Sequence, residues 1–176
     1  MMISLIFDTE TTGLVLHPKS KDEVQPRIIE WAGILVDENG EKFDDMVYLI
    51  NPDCEISEEI TNITGITNEM LIGRPKYNEV VDSIYKFCAR ADRVIAHNLP
   101  FDLSMMELEA TRLGLKMPTF SNYLCTVQEH EPIYGFRPPL TKLYEDYTGK
   151  PLAQTHRALD DVEALATVCK LAGVLK

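Results

Sequence analysis

Four acidic residues and one histidine stand at spacings that chemistry could use. Asp8 and Glu10 are two apart, at the end of the apolar run Ile3-Ser4-Leu5-Ile6-Phe7. If the strand this run forms continues through them, both side chains point to one face. Two acids there repel each other unless a cation or a proton stands between them. A polar turn after a strand carries the same signature. Asp102 falls near the middle of the apolar arc of a helical stretch, Pro100 to Leu113, between residues such as Met105, Met106 and Leu113. A carboxylate aimed at a core needs a partner or a metal. An acid in a first turn also serves the helix dipole, and Glu109 lies close to Asp102 on the same wheel. In the stretch Leu159 to Leu171, Asp161 falls inside the arc of Leu159, Val162, Leu165 and Val168. Asp160 falls outside it with Glu163, Thr167 and Lys170. Asp161 is therefore the better metal-ligand candidate of the pair. His156, in a loop five residues before Asp161, could serve as a general base. The other histidines are His17, His97 and His130.

The chain that must position these groups has 176 residues, 45% of them hydrophobic and 26% charged. That composition and length fit one soluble globular domain over residues 1–176. Seventeen basic residues against 28 acidic ones give a net charge of -11. Such a surface disfavours extensive non-specific duplex binding. It leaves room for a local nucleic-acid site, because a bound divalent metal reverses the local sign. No apolar run is long enough to span a membrane, and Met1 to Phe7 lacks the basic leader of a signal peptide. Cys54, Cys88, Cys125 and Cys169 are widely spaced. They read as reduced, cytoplasmic thiols buried as small hydrophobes, not as a zinc site or redox dithiol.

A strand ending at Asp8 is followed by a loop over residues 15–26 and a second strand, Ile28 to Val36. Asn39-Gly40 then marks a hairpin turn in which both positions need positive φ, with Phe43 to Ile50 returning. The first third is thus a three-stranded antiparallel meander. Ser57, followed by Glu58 and Glu59, starts a capped helix. Tyr77, Val80, Val81, Ile84, Phe87 and Cys88 recur at helical spacing. Val94-Ile95-Ala96 and Phe120 to Thr126 read as strands, Leu140 to Tyr147 and Leu159 to Leu171 as helices. Strands followed by alternating strands and helices predict an α/β mixed sheet flanked by helices, with sites at strand ends.

These pieces coincide with one family pattern. Phe7-Asp8-Thr9-Glu10-Thr11-Thr12-Gly13-Leu14, His97-Asn98-Leu99-Pro100-Phe101-Asp102 and His156-Arg157-Ala158-Leu159-Asp160-Asp161 resemble, in order, the three motifs of the DnaQ-like (DEDDh) 3′–5′ exonucleases. Arg27-Ile28-Ile29-Glu30 and Ile63-Thr64-Gly65-Ile66-Thr67 are further landmarks. The resemblance implies an RNase H-like fold, in which the meander is joined by parallel strands, and two divalent cations, Mg²⁺ or Mn²⁺. It implies that Asp8, Glu10 and Asp161 hold one metal, that Asp8 and Asp102 serve the second, partly through water, and that His156 accepts the proton of the attacking water. Thr11, Gly13, Leu14 and Phe101 would meet the terminal nucleotide, Asn98 would orient the second motif, and Glu59 and Thr64 would line its sugar and phosphate side. Relatives commonly carry His where this chain has Thr64, which bears on the phosphate contact more than on the chemistry.

The implied reaction is removal of nucleoside 5′-monophosphates from single-stranded 3′ ends, with DNA favoured over RNA because Thr-Thr-Gly-Leu is closer to the proofreading branch. Association with a DNA polymerase belongs to the same resemblance. The chain ends about 15 residues beyond Asp161, without the long tail of a tethered proofreader. A non-catalytic binding module would have lost a metal acid or the histidine, and all five positions are filled. Arg27, Arg137, Lys142 and Arg157 could meet a nucleic-acid backbone or be ordinary solvated charges. The segment Tyr134 to Pro139 reads as a substrate-gating loop or as a rigid irregular connection.

Overall fold

The computed structural model describes residues 2–16, 24–153 and 156–176. Its five strands are β1 (Ser4–Thr11), β2 (Ile28–Val36), β3 (Lys42–Leu49), β4 (Arg93–Ala96) and β5 (Asn122–Cys125). They form one sheet in the order β3-β2-β1-β4-β5. β2 pairs antiparallel with β1 and β3, while β4 runs parallel to β1 and to β5. The expected meander is therefore present, extended by two parallel strands. The helices are α1 (Glu58–Thr64), α2 (Asn68–Leu71), α3 (Tyr77–Cys88), α4 (Leu99–Leu113), α5 (Thr126–Tyr134), α6 (Leu140–Thr148) and α7 (Ala158–Leu171).

Period-2 alternation along β1 divides the core. Leu5 and Phe7 join Trp31, Leu35 and Val94 beneath α3 and α4. Ile6 joins Ala32, Ile34 and Ile95 beneath α6 and α7. The Trp31 ring stacks on Phe7 at 6.1 Å and meets Phe87 edge-on at 6.1 Å. Gly33 makes room for it, since a Cβ there would lie 2.6 Å from the indole. Both faces of the sheet are thus covered, and its strand ends are left to carry the polar residues.

Four expectations need correction. β1 does not end at Asp8 but continues to Thr11, because β2 keeps pairing with it through Glu10↔Glu30 and, after a bulge, Thr11↔Ile28. The hairpin has positive φ at Gly40 but not at Asn39. A wider loop forms instead, in which the Asp37 carboxylate accepts from the amides of Asn39 and Glu41, at 2.8 and 2.9 Å. Helices α2 and α5 were not legible. α2 is a single turn, and α5 contains Pro132 and buries only Thr126, Val127 and His130. Cys88, Cys125 and Cys169 are buried, but Cys54 is exposed. Part of the 15–26 loop, including His17, lies outside the described residues. No helix among the described residues is long and apolar enough to cross a membrane.

Candidate active site

Because β1 stays extended through Glu10, Asp8 and Glu10 emerge on the same face, the one covered by α7. The first turns of α7 bring Asp161 to them. One carboxyl oxygen from each of Asp8, Glu10 and Asp161 lies within 4.8 Å of the others. Asp160, next in sequence, is exposed, so the helical wheel distinguishes the two acids as the structure does.

What fixes α7 is a residue whose role the sequence reading missed. Glu30 is the one acid in the otherwise apolar β2 and is 1% exposed. It accepts from the Arg157 guanidinium, with Nε 3.1 Å from both carboxylate oxygens, and from the Ala158 amide at 2.9 Å. A carboxylate at the N-terminus of a helix also meets the positive end of its dipole. Asp161 donates its amide to the Arg157 carbonyl at 3.1 Å. The ion pair thereby holds the turn that carries Asp161. A lone acid inside a buried strand requires a partner, and that was the available signal.

Asp102 arrives from the other side of the sheet. Asn98 takes a left-handed conformation (φ 74°) at the start of α4 without a side-chain capping bond, and Pro100 stands in the first turn. Asp102 is 2% exposed. Its Oδ1 accepts from the Thr9 amide at 3.1 Å and the Thr9 hydroxyl at 2.7 Å. Asp102 stands outside the trio, yet its charge bears on both Asp8 and Glu10. The neighbouring Glu109 is a separate hub. It pairs with Arg27 and Arg112, at 3.3 and 3.0 Å, and accepts from the Ile28 amide.

Crowding and burial raise the proton affinity of the acids. Burial, then Asp102, Glu10 and Asp161, push Asp8 well above the usual carboxylate range. Burial, then Asp161 and Glu30, carry Glu10 to about 8, with Arg157 opposing. Burial carries Asp102 to about 7 against the two Thr9 hydrogen bonds. An all-oxygen set of crowded carboxylates suits a hard divalent cation such as Mg²⁺, Mn²⁺ or Ca²⁺. The residues present therefore fit the divalent metal that the resemblance implies.

A pH dependence follows. The folded metal-free protein binds more protons than the unfolded chain between the ordinary carboxylate pKa and about 8. It therefore loses stability as pH rises through that window. A cation must displace those protons, so its affinity rises over the same range. Isothermal titration with Mg²⁺ or Mn²⁺ is expected to show binding at least about tenfold tighter at pH 8 than at pH 6. Proton release should be visible as a dependence on buffer ionisation enthalpy. A pH-independent affinity would contradict the crowding.

Beside the acids runs a cleft of about 590 Å³, lined by Glu10, Leu14, Glu59, Ile63, Thr64 and Phe101 among others. Leu14 is 76% exposed, so it is not a core residue. Thr11 donates to the Gly13 carbonyl at 2.7 Å, and the Thr12 hydroxyl accepts from the Arg27 amide at 2.9 Å. These bonds shape the turn that presents Leu14. Glu59 is exposed in the first turn of α1. Thr64 is buried, and its hydroxyl donates to the Ile60 carbonyl while accepting from the Ile66 amide. His156 is half-buried with a left-handed backbone (φ 49°), just before α7. His97 is held down at about 4 by burial and engages Thr126 and the Pro138 carbonyl. It is a neutral, structural histidine.

The sequence profile of the exonuclease family (RNase T type) matches residues 5–169. The PolC-type DNA polymerase III of Staphylococcus aureus is 34% identical over 167 residues, covering 93% of this chain and 11% of that polymerase. The chain thus spans about a tenth of the length of the curated relatives it matches. A structure of Exonuclease X in complex with 5′-overhanging duplex DNA superposes with a TM-score of 0.68 at 25% identity, covering 95% of this chain and 89% of that one. The nuclease domain of 3′hExo, a DEDDh family member bound to rAMP, shares the fold with a TM-score of 0.73 at 18% identity, covering 96% and 90%. With the profile spanning nearly the whole chain and the acids converging at the end of β1, the chain belongs to the exonuclease family, among its DnaQ-like 3′–5′ members.

Proposed function

We propose that residues 1–176 form one exonuclease unit that removes nucleoside 5′-monophosphates from the 3′ ends of single-stranded or frayed DNA. The observation that carries this reading is the trio of Asp8, Glu10 and Asp161, set beside a partly apolar cleft of about 590 Å³. That volume lies within the range of small-molecule sites and accommodates one nucleotide. Leu14 and Phe101 offer apolar surface to the terminal base, and Thr11, Gly13, Glu59 and Thr64 form the surrounding wall. Asn98 sets the start of α4 and with it Asp102.

Asp8, Glu10 and Asp161 would hold one divalent cation, and Asp8 with Asp102 a second, each Mg²⁺ or Mn²⁺. Bound there, the cations supply charge stabilisation for both the attacking and the leaving oxygen of the phosphodiester. His156 accepts the proton of the attacking water at a ring nitrogen as the new P–O bond forms and the bond to the leaving 3′-oxygen breaks. The role requires that the ring, in the loop just before α7, can reach the attacking water. The likeness to a PolC-type polymerase supports action alongside a DNA polymerase.

Digestion of 3′-hydroxyl DNA and RNA oligomers of equal sequence, with Mg²⁺ or EDTA, tests the reading. Stepwise shortening of DNA that disappears in EDTA is expected. Preference for RNA would move the substrate to RNA 3′ ends. Absence of cleavage with metal bound would overturn the enzyme.

A further inference from the structure

Most described cations of this acidic chain are committed to carboxylates: Lys42, Lys76, Lys86, Arg90, Lys142 and Lys170 all sit in ion pairs. Arg137 differs. It is exposed, and among the described residues no carboxylate pairs with it. One guanidinium nitrogen donates to the Asn98 side-chain oxygen at 2.7 Å. The next residue, Pro138, offers its carbonyl to His97. Two consecutive residues of the α5–α6 connection therefore lie against two consecutive residues that lead into α4, with Arg137 bonded to Asn98. Asn98 stands one helical turn before Asp102, a rise of about 5.4 Å. The connection is thus held against the residues that lead into α4, the helix that carries Asp102, and the arginine on it keeps most of its five donors unspent.

The connection also carries an aromatic. Phe136 is 51% exposed and packs edge-on against Tyr134 at 5.8 Å. Tyr134 is itself held by its hydroxyl bond to Asp146 at 2.7 Å and by Lys142 over its ring at 5.9 Å. A supported, exposed aromatic beside an uncommitted guanidinium combines the two elements that single-strand binding sites use: stacking and phosphate contact. In a chain of net charge -11, an exposed guanidinium without a carboxylate partner also eases the approach of an anionic strand.

We propose that Arg137 and Phe136 form a strand-binding subsite, in which Arg137 holds the phosphate next upstream of the scissile one and Phe136 stacks on an upstream base. The inference rests on the exonuclease reading and deepens it. A length series tests it. A dinucleotide with a 5′-hydroxyl contains only the scissile phosphate, a trinucleotide adds the next, and an octanucleotide adds bases to stack. Wild-type kcat/KM is expected to rise from dinucleotide to trinucleotide. Arg137→Ala is expected to lose about tenfold on the trinucleotide, mostly in KM, with less than about twofold change on the dinucleotide. Binding of a labelled octanucleotide in Ca²⁺ should show a salt slope smaller by about 0.7 in Arg137→Ala, recovered in Arg137→Lys. Phe136→Ala should weaken that binding about tenfold with the slope unchanged.

Equal losses on dinucleotide and trinucleotide would mean that Arg137 acts only through Asn98, and would overturn the proposal. So would an unchanged salt slope. If the wild type hydrolyses no oligonucleotide yet binds the octanucleotide with an Arg137-dependent slope, the exonuclease reading fails and the subsite stands. If it cleaves normally and the variants match it, the reverse holds.

Discussion

Replacing Asp8 by Asn is expected to lower the exonuclease rate by about 10⁴-fold or more while making the metal-free protein more stable. The two effects have one cause. Asp8 is the acid surrounded by Asp102, Glu10, Asp161 and Glu30, all of which raise its proton affinity. Two charges about 5 Å apart at an effective dielectric near 20 repel by about 3 kcal/mol, and protonation relieves part of that. Removing one charge should therefore stabilise the fold in EDTA at pH 8 by on the order of 1–2 kcal/mol. Thermal denaturation with and without Mg²⁺ checks it. The wild type should gain stability from the cation, whereas Asp8→Asn should start higher and gain little. A variant less stable than wild type in EDTA would show that Asp8 is held by local bonds and not strained by its neighbours.

Arg157→Ala is expected to cost the most stability of any charged-residue change near the site. Glu30 is 1% exposed and would keep only the Ala158 amide as a partner. An uncompensated buried carboxylate costs about 3–5 kcal/mol. Arg157 is 36% exposed at its side chain, so screening reduces the expected loss to about 2–4 kcal/mol. Urea denaturation reads the loss directly. The double variant Glu30→Gln with Arg157→Ala should recover more than half of it, because the buried charge goes with its partner. Metal affinity should fall in the single variant as well, since the turn bearing Asp161 loses its anchor. A loss below about 0.5 kcal/mol would mean that water already solvates Glu30.

Which parts of this were legible in the sequence follows from the range over which each is decided. The inward turn of Asp161 and the outward turn of Asp160 are matters of helical phase within one segment, and the wheel resolved them. The order of the meander follows from alternating apolar runs and a turn, again locally. Helix α5 was missed because Pro132 and a thin buried face hide its period. The bonds from Thr9 to Asp102 and from Arg157 to Glu30 join residues 93 and 127 apart. No local pattern encodes such a pairing, and a buried polar residue signals only that some partner must exist. The full extent of β1 belongs to the same class, since Thr9 to Thr11 stay extended by pairing with β2.

The acids come from opposite faces of one sheet, with Asp8 and Glu10 beneath α7 and Asp102 delivered by α4. No segment of the chain therefore contains a working centre in miniature. Contacts between β1 and α7 are among the longest in sequence, and contacts of that kind form late because the intervening chain must first be ordered. During synthesis, the amino-terminal strands and α4 would be in place while the catalytic set was still incomplete. Hydrolytic capacity would then switch on with the docking of α7, whose ion pair to Glu30 acts as the latch. On the proposed roles of these acids, a chain in which α7 has not yet docked would lack Asp161 at the end of β1, and activity would depend on the completed fold.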